Sequence, residues 1–112
     1  MQFLLIIAHD DTFAPTETLL GDILSWIERM TALGIRITGR PLRPASEAIT
    51  LRVRGDKLHR SAAPFSRAEE QMCAFELVEC RDLEHAVEIA QTHPMTSAAS
   101  IEVRPVWDGL GR

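Results

Sequence analysis

Residues 2 to 8 are apolar at nearly every position. In an extended chain Phe3, Leu5 and Ile7 fall on one side and Leu4, Ile6 and Ala8 on the other. A strand apolar on both sides is covered on both sides once the fold is complete. The period then changes. From Thr16 to Leu33 the apolar residues Leu20, Ile23, Leu24, Ile27 and Met30 recur at helical spacing, with Trp26 at the edge of the stripe. Thr16 follows Pro15 and is suited to cap the helix N-terminus. Gly34 stands where a left-handed stop is wanted, and Ile35 is placed to pack back on Met30 as in a Schellman motif.

A short strand is expected over Ile35 to Thr38, followed by a turn-rich connection, Gly39 to Pro44. Ile49, Leu51 and Val53 then alternate with Thr50, Arg52 and Arg54, the pattern of a strand wet on one face. Gly55-Asp56 turns the chain into a return strand, Lys57 to about Ala62. Ser66-Arg67-Ala68-Glu69 has capping-box spacing and predicts a helical turn over Ser66 to Gln71. Met72 to Val78 resumes the sheet and is apolar on both faces except for Glu76, on the Met72-Ala74-Val78 side. Asp82 caps a second helix with Leu83, Ala86, Val87 and Ala90 on its inner face. Pro94 ends that helix, and Ile101 to Val106 forms the last strand, leaving Trp107 to Arg112 as a tail. The order β-α-β, hairpin, β-α-β predicts an α+β fold, a ferredoxin-like split βαβ with an inserted β-hairpin. Two helices cover one face of such a sheet. The apolar residues on the other face predict a homodimer with its sheets packed face to face, a dimeric α/β barrel.

A chain of 112 residues fits one domain, 1–112, with a real core. The formal net charge is -4 and the pI about 5.5, which argues against a general nucleic-acid binder. Seven of the twelve Lys and Arg residues nevertheless lie between Arg36 and Arg60, opposed there only by Glu47 and Asp56. That cluster reads either as a solvated hairpin face or as a patch attracting a small anion. Cys73 and Cys80 are about 23 Å apart along an extended strand and cannot pair with each other there. Two free thiols in a reducing cytoplasm are expected. Neither has a histidine or second cysteine at zinc-site spacing, so neither metal nor cofactor is expected. Phe3 to Ala8 is too short to span a membrane and lacks a basic lead-in, and the expected location is cytoplasmic.

Several short segments, in order, resemble the YCII-related family, specifically its DGPF-domain branch. They are Phe3-Leu4-Leu5-Ile6, Leu33-Gly34-Ile35, Gly39-Arg40-Pro41-Leu42, Ala62-Ala63-Pro64-Phe65, Glu70-Gln71, Phe75-Glu76-Leu77, His93-Pro94 and Glu102-Val103-Arg104-Pro105-Val106. The resemblance implies the ferredoxin-like fold and dimerisation. It also locates departures. The branch takes its name from Asp-Gly-Pro-Phe, where this chain has Ala62-Ala63-Pro64-Phe65. Many relatives carry a histidine on the first helix near the position of Ile23. A His-Asp dyad has been proposed for the wider family, and neither matching position here holds a titratable group.

The residues that remain for chemistry are scattered. His9-Asp10-Asp11 ends the first strand and reads as base and orienting groups, or as a solvated turn. His93, before Pro94, is either a group titrating at a cleft mouth or a bond to its own helix end. Arg40, in a turn after Gly39, is suited to clamp a carboxylate or phosphate, or to pair with Glu69 or Glu70. Glu76 is either a carboxylate in an interface cavity with a raised pKa, or the partner of Arg104 or a hairpin arginine. Phe65 is a ligand-binding candidate through the segment it closes. His59 and His85 are expected to be exposed, and Trp107 lines a pocket or a dimer interface. Gly109-Leu110-Gly111 is too short and too late in the chain for a phosphate loop. Three functions remain open: a dimeric domain binding a small organic anion, a cofactor-independent isomerase, lyase or monooxygenase of the dimeric α/β-barrel type, or a transcription-associated interaction module.

Overall fold

In the computed structural model, which describes residues 1–109, the apolar opening becomes a central strand, β1 (Gln2–His9). Helix α1 (Glu17–Ala32) leads to β2 (Arg36–Pro41), an edge strand. A 3₁₀ turn (Ala45–Glu47) precedes the hairpin strands β3 (Thr50–Arg54) and β4 (Lys57–Ser61). The chain returns as β5 (Gln71–Glu79), then α2 (Leu83–Gln91), a single helical turn α3 (Met95–Ala98) and β6 (Ser100–Pro105). The main sheet has the order β2-β5-β1-β6 with every neighbouring pair antiparallel. This is the ferredoxin-like α+β arrangement. Leu110 and Gly111, in the tail segment considered above as a phosphate loop, lie outside the described residues.

Residues opposite each other across a ladder share a face. Phe3 stands opposite Val78, and Leu5 opposite Glu76 and Val103. On this covered face Phe3, Leu5, Trp26, Met30, Val78, Cys80, Ala86 and Ala90 form the buried core, with Ile27, Ile35, Ile89, Ile101 and Val103 packed around it. Full burial of a Phe, Leu or Val side chain stabilises by roughly 1.5–3 kcal/mol.

Helix α1 ends as its sequence directs. The Thr16 hydroxyl accepts from the Leu19 N–H at 3.1 Å. Gly34 takes φ +74°, and the N–H groups of Gly34 and Ile35 reach the carbonyls of Thr31 and Met30 at 3.0 and 2.9 Å. That pair of bonds is the Schellman motif. The helix is rotated from the expected stripe, however. Trp26 and Met30 are its buried residues, and Ile23 and Ile27 flank them. Leu20 and Leu24 are 52% and 62% exposed. The cause is Trp26, whose large ring fills the centre of the core and whose indole N–H donates to Thr92 Oγ1 at 2.9 Å.

Three local expectations are corrected. First, β2 extends to Pro41 and absorbs Gly39 and Arg40, which were expected in a turn. Proline is tolerated there because β2 is an edge strand. Second, no helix forms over Ser66 to Gln71. The Ser66 hydroxyl accepts from the Ala68 N–H, two residues on, and the Gln71 amide ties down the carbonyls of Ser66 and Ala68. A hydroxyl bonded at that spacing favours a turn over a cap. Third, α2 stops at Gln91, and Pro94 precedes the extra turn α3.

Two bulges change which way side chains point. In β5, Ile7 opposes Ala74 but Ala8 opposes Met72, leaving Cys73 as the extra residue. Met72 therefore shares the face of Ala8, opposite to Ala74, contrary to the alternation read from the sequence. In β2, Arg36 opposes Val78 and Thr38 opposes Leu77, leaving Ile37 extra. Arg36 is thereby turned to the covered face, while Thr38 and Arg40 lie on the other.

That other face has no helix on it. In register it carries Leu4, Ile6, Phe75 and Leu77 at its centre, bordered by Thr38, Arg40, Glu102 and Arg104. The hairpin is also bare. Gly55 and Asp56 both take positive φ, +56° and +65°, giving the tight turn that twists with its strands. Residues 51 to 61 are all exposed, and β3 and β4 form a two-stranded sheet of their own. The chain exposes 8137 Å². A compact protein of its mass exposes about 6,200 Å². Its radius of gyration is 16.0 Å, where a compact chain of its length has about 13 Å.

Candidate functional site

The cavities lie at the end of the sheet where β1 and β2 finish and β5 begins. After β2 the chain crosses this end, held by the Leu42 N–H donating to the Cys73 carbonyl at 2.8 Å. Beneath the crossing is a cavity of about 310 Å³ whose polar lining includes His9, Asp11, Arg43, Ser46, Glu69 and Gln71. A second hollow of about 290 Å³ shares the Leu42 to Ala45 stretch and is bounded by Pro64 and Phe65. The two make one groove.

His9 ends β1 opposite Gln71, so its ring is delivered to this groove by the sheet itself. The ring stacks on Phe13 with centroids 4.5 Å apart. Its Nδ1 lies 2.9 Å from the Asp10 carbonyl oxygen, an atom that can only accept. Nδ1 is therefore the donor in this contact, and Nε2 is left free to face the groove. Asp10 is not part of the groove. Its carboxylate accepts from the Thr12 hydroxyl and N–H, and these bonds hold its pKa below the ordinary value. Asp11 lines the groove instead. Arg43 is paired with Glu47 at 3.0 Å, both side chains being largely exposed. Cys73 also lines the cavity, and burial pushes its thiol pKa up, which disfavours the nucleophilic thiolate.

The other candidates lie elsewhere. Glu76 is 4% exposed on the covered face. Its carboxylate accepts from Arg36 Nε at 2.7 Å and Nη2 at 3.3 Å, and Arg36 Nη2 also donates to the Gly39 carbonyl at 3.1 Å. The partner is neither Arg104 nor a hairpin arginine: the bulge at Ile37 brings Arg36 to it, whereas Arg104 is on the opposite face in a loose, exposed ion pair with Glu102. Gly39 makes the pair possible. A Cβ there would come within 2.0 Å of Glu76 Oε1 and 2.6 Å of the Phe75 carbonyl.

His93 is 3% exposed and sits 4.5 Å from the Trp26 ring. Its Nδ1 accepts from the Met95 N–H at 3.0 Å, so the ring caps the following turn rather than its own helix. Burial lowers its pKa to about 4, and the ring is neutral near pH 7. Arg40 lies on the open face beside Phe75, with no ion pair among the described residues. Phe65 is 80% exposed at the groove rim. The groove thus brings His9 and Phe65 into one place, while Arg40, Glu76 and His93 occupy three others. Asp11 was singled out beside His9 in the sequence and does line the groove, whereas sequence reasoning missed Arg43 and Glu69 as lining. Arg43 lies in the basic stretch, but nothing local in the sequence places it beside His9.

The residue pattern of the YCII-related domain matches residues 1–109. The chain belongs to the YCII-related family. No curated protein matches it. At the two positions linked to the proposed dyad, this YCII-related chain has Ile23, half-buried on α1, and Ala62, exposed after β4. Among the described residues no three of His, Cys, Asp and Glu come together as metal ligands. No helix among them is long and apolar enough to cross a membrane. What the polar groups offer here is hydrogen-bonding and charged capacity for a ligand: an imidazole, carboxylates and a guanidinium in the groove, and a second guanidinium, unpaired among the described residues, on the open sheet face.

Proposed function

We propose that this YCII-related protein is a homodimer, a dimeric α/β barrel joined through the open faces of its sheets, and that it binds a small organic anion beside Arg40. The observation that carries this reading is the composition of the open face. Leu4, Ile6, Phe75 and Leu77, each only half-buried, form an apolar strip across two central strands with no helix over it. The roughly 2,000 Å² by which the chain exceeds compact exposure is more than the roughly 800 Å² that each partner buries in a standard stable interface. Closing that face draws Arg40 out of water, and a buried guanidinium needs an anion beside it. Glu102 is already engaged with Arg104 at 3.6 Å, so an exogenous carboxylate or phosphate is the natural counter-charge. Within the family we assign the chain to the DGPF branch on Pro64-Phe65 and the ordered segments around it, with Ala62-Ala63 replacing the acid and glycine. Two free cysteines, Cys73 and Cys80, accord with a reducing, cytoplasmic location.

The test is thermal-shift and calorimetric titration of the purified dimer with small mono- and dicarboxylates and inorganic phosphate. Saturable binding that Arg40→Ala weakens at least tenfold supports the reading. Equal binding by wild type and Arg40→Ala removes Arg40 from the site.

A further inference from the structure

The β3–β4 hairpin is a second unpartnered surface, separate from the sheet face. The register places Leu51 opposite Arg60 and Val53 opposite Leu58, so Leu51, Val53 and Leu58 share one side of the ribbon, with Arg60 at its edge. They are 61%, 61% and 65% exposed, and Ile49, just before the strand, is 49% exposed. The other side carries Arg52, Arg54, Lys57 and His59. An isolated two-stranded ribbon is marginal in water, and an apolar side open to solvent weakens it further. Yet the turn residues and the alternation are those of a well-specified hairpin. Something must lie against its apolar side.

We propose that this hairpin is an arm that closes on a second copy of the chain, with Leu51, Val53 and Leu58 as its contact. Charge favours that occupant. Residues 50–61 carry four positive charges (Arg52, Arg54, Lys57, Arg60) and one negative (Asp56), a net +3. The whole chain is -4, so the remainder is -7. A second copy therefore offers the arm an oppositely charged body, including the acidic α1 residues Glu17 and Glu28 about the exposed Leu20 and Leu24. Area leaves room for such a contact: the excess exposure of the chain is larger than the roughly 800 Å² that each partner buries in a standard interface, so the sheet face need not be the whole of it. The inference rests on the homodimer proposed above and adds a contact that the sheet face does not supply.

The experiment compares three full-length proteins by sedimentation equilibrium: wild type, the arm variant Leu51→Lys/Leu58→Lys, and the sheet variant Ile6→Lys. Circular dichroism and urea melts establish that each variant is folded. Dimer dissociation at least tenfold easier in the arm variant, with wild-type monomer fold retained, is the expected result. Hydrogen exchange of the wild-type hairpin amides gives an independent readout: protection should rise with protein concentration in step with dimerisation. An arm variant that dimerises as tightly as wild type, or hairpin exchange unchanged across the transition, overturns the arm and leaves the sheet-face dimer standing. A monomeric wild type overturns both. Unchanged dimerisation together with saturable binding of a DNA or RNA oligonucleotide lost in Arg52→Ala/Arg54→Ala would assign the hairpin to nucleic acid instead.

Discussion

The two faces of the central sheet are built from the same strands and have opposite character. One carries Phe3, Leu5 and Val78 under two helices, and its largely buried charged pair, Arg36 with Glu76, is closed by three hydrogen bonds. The other carries Leu4, Ile6, Phe75 and Leu77 uncovered, with Arg40 unpaired beside them. Arg36 and Arg40 are four residues apart on one strand, and in regular alternation they would share a face. The bulge at Ile37 separates them. One arginine becomes a structural counter-ion and the other a charge awaiting a partner. A single inserted residue in an edge strand thus separates a largely buried, paired arginine from an exposed one.

The comparison can be broken first at the buried pair. Arg36→Met leaves the Glu76 carboxylate buried without its counter-charge, and removing one member of such a pair costs about 3–5 kcal/mol. Urea denaturation should show that loss, whereas Arg40→Met should leave the monomer stability within about 0.5 kcal/mol. Equal effects of the two substitutions would erase the distinction between the faces. Glu76→Gln should lower stability as well, because its carboxylate is bonded to Arg36 rather than open to a cavity.

The covered face also predicts a pH dependence. His93 has a folded pKa of about 4 against an ordinary value of 6.5, so the unfolded chain binds its proton first. The neutral ring therefore contributes stability above pH 6.5 that is lost as pH falls from 6.5 towards 4. The full shift corresponds to about 3 kcal/mol. Melts of wild type and His93→Gln across this range should converge as the pH drops. A parallel decline in both would place the acid sensitivity elsewhere. Gly39→Ala sharpens the same point at smaller cost. The added methyl meets both the Glu76 carboxylate and the Phe75 carbonyl, and overpacking of this kind typically costs about 1–3 kcal/mol.

On the open face the expected effects are on binding rather than folding. Arg40→Ala should weaken a small carboxylate or phosphate by roughly tenfold or more, since a hydrogen bond to a charged group contributes about 1.5–3 kcal/mol. The urea midpoint of the monomer should hardly move. Loss of stability in proportion to loss of binding would make Arg40 a structural residue.

Much of this architecture was legible in the pattern of side chains, and the failures have physical causes. Alternation in residues 2 to 8 sorted Phe3, Leu5 and Ile7 from Leu4 and Ile6 correctly, because β1 is central and keeps its period through Ile7, but both sides are apolar and the pattern did not tell which one the helices cover. Thr16, Gly34 and Asp82 marked helix ends because caps are local chemistry. Bulges are not local in that sense. Nothing within β2 announces that Ile37 is extra, so the partner of Glu76 could not be deduced. The rotation of α1 followed from Trp26 finding Thr92, 66 residues away. The groove is assembled from His9, Arg43 and Glu69, three segments brought together only by the sheet end. Its members were visible singly, and their grouping was not.

The central claim is that the open face is an interface, and the association state of the wild-type protein tests it most directly. Sedimentation equilibrium across nanomolar to micromolar concentrations should fit a dimer at the upper end, and Ile6→Lys should shift the protein towards a folded monomer. A wild-type protein that remains monomeric throughout the micromolar range would contradict the account.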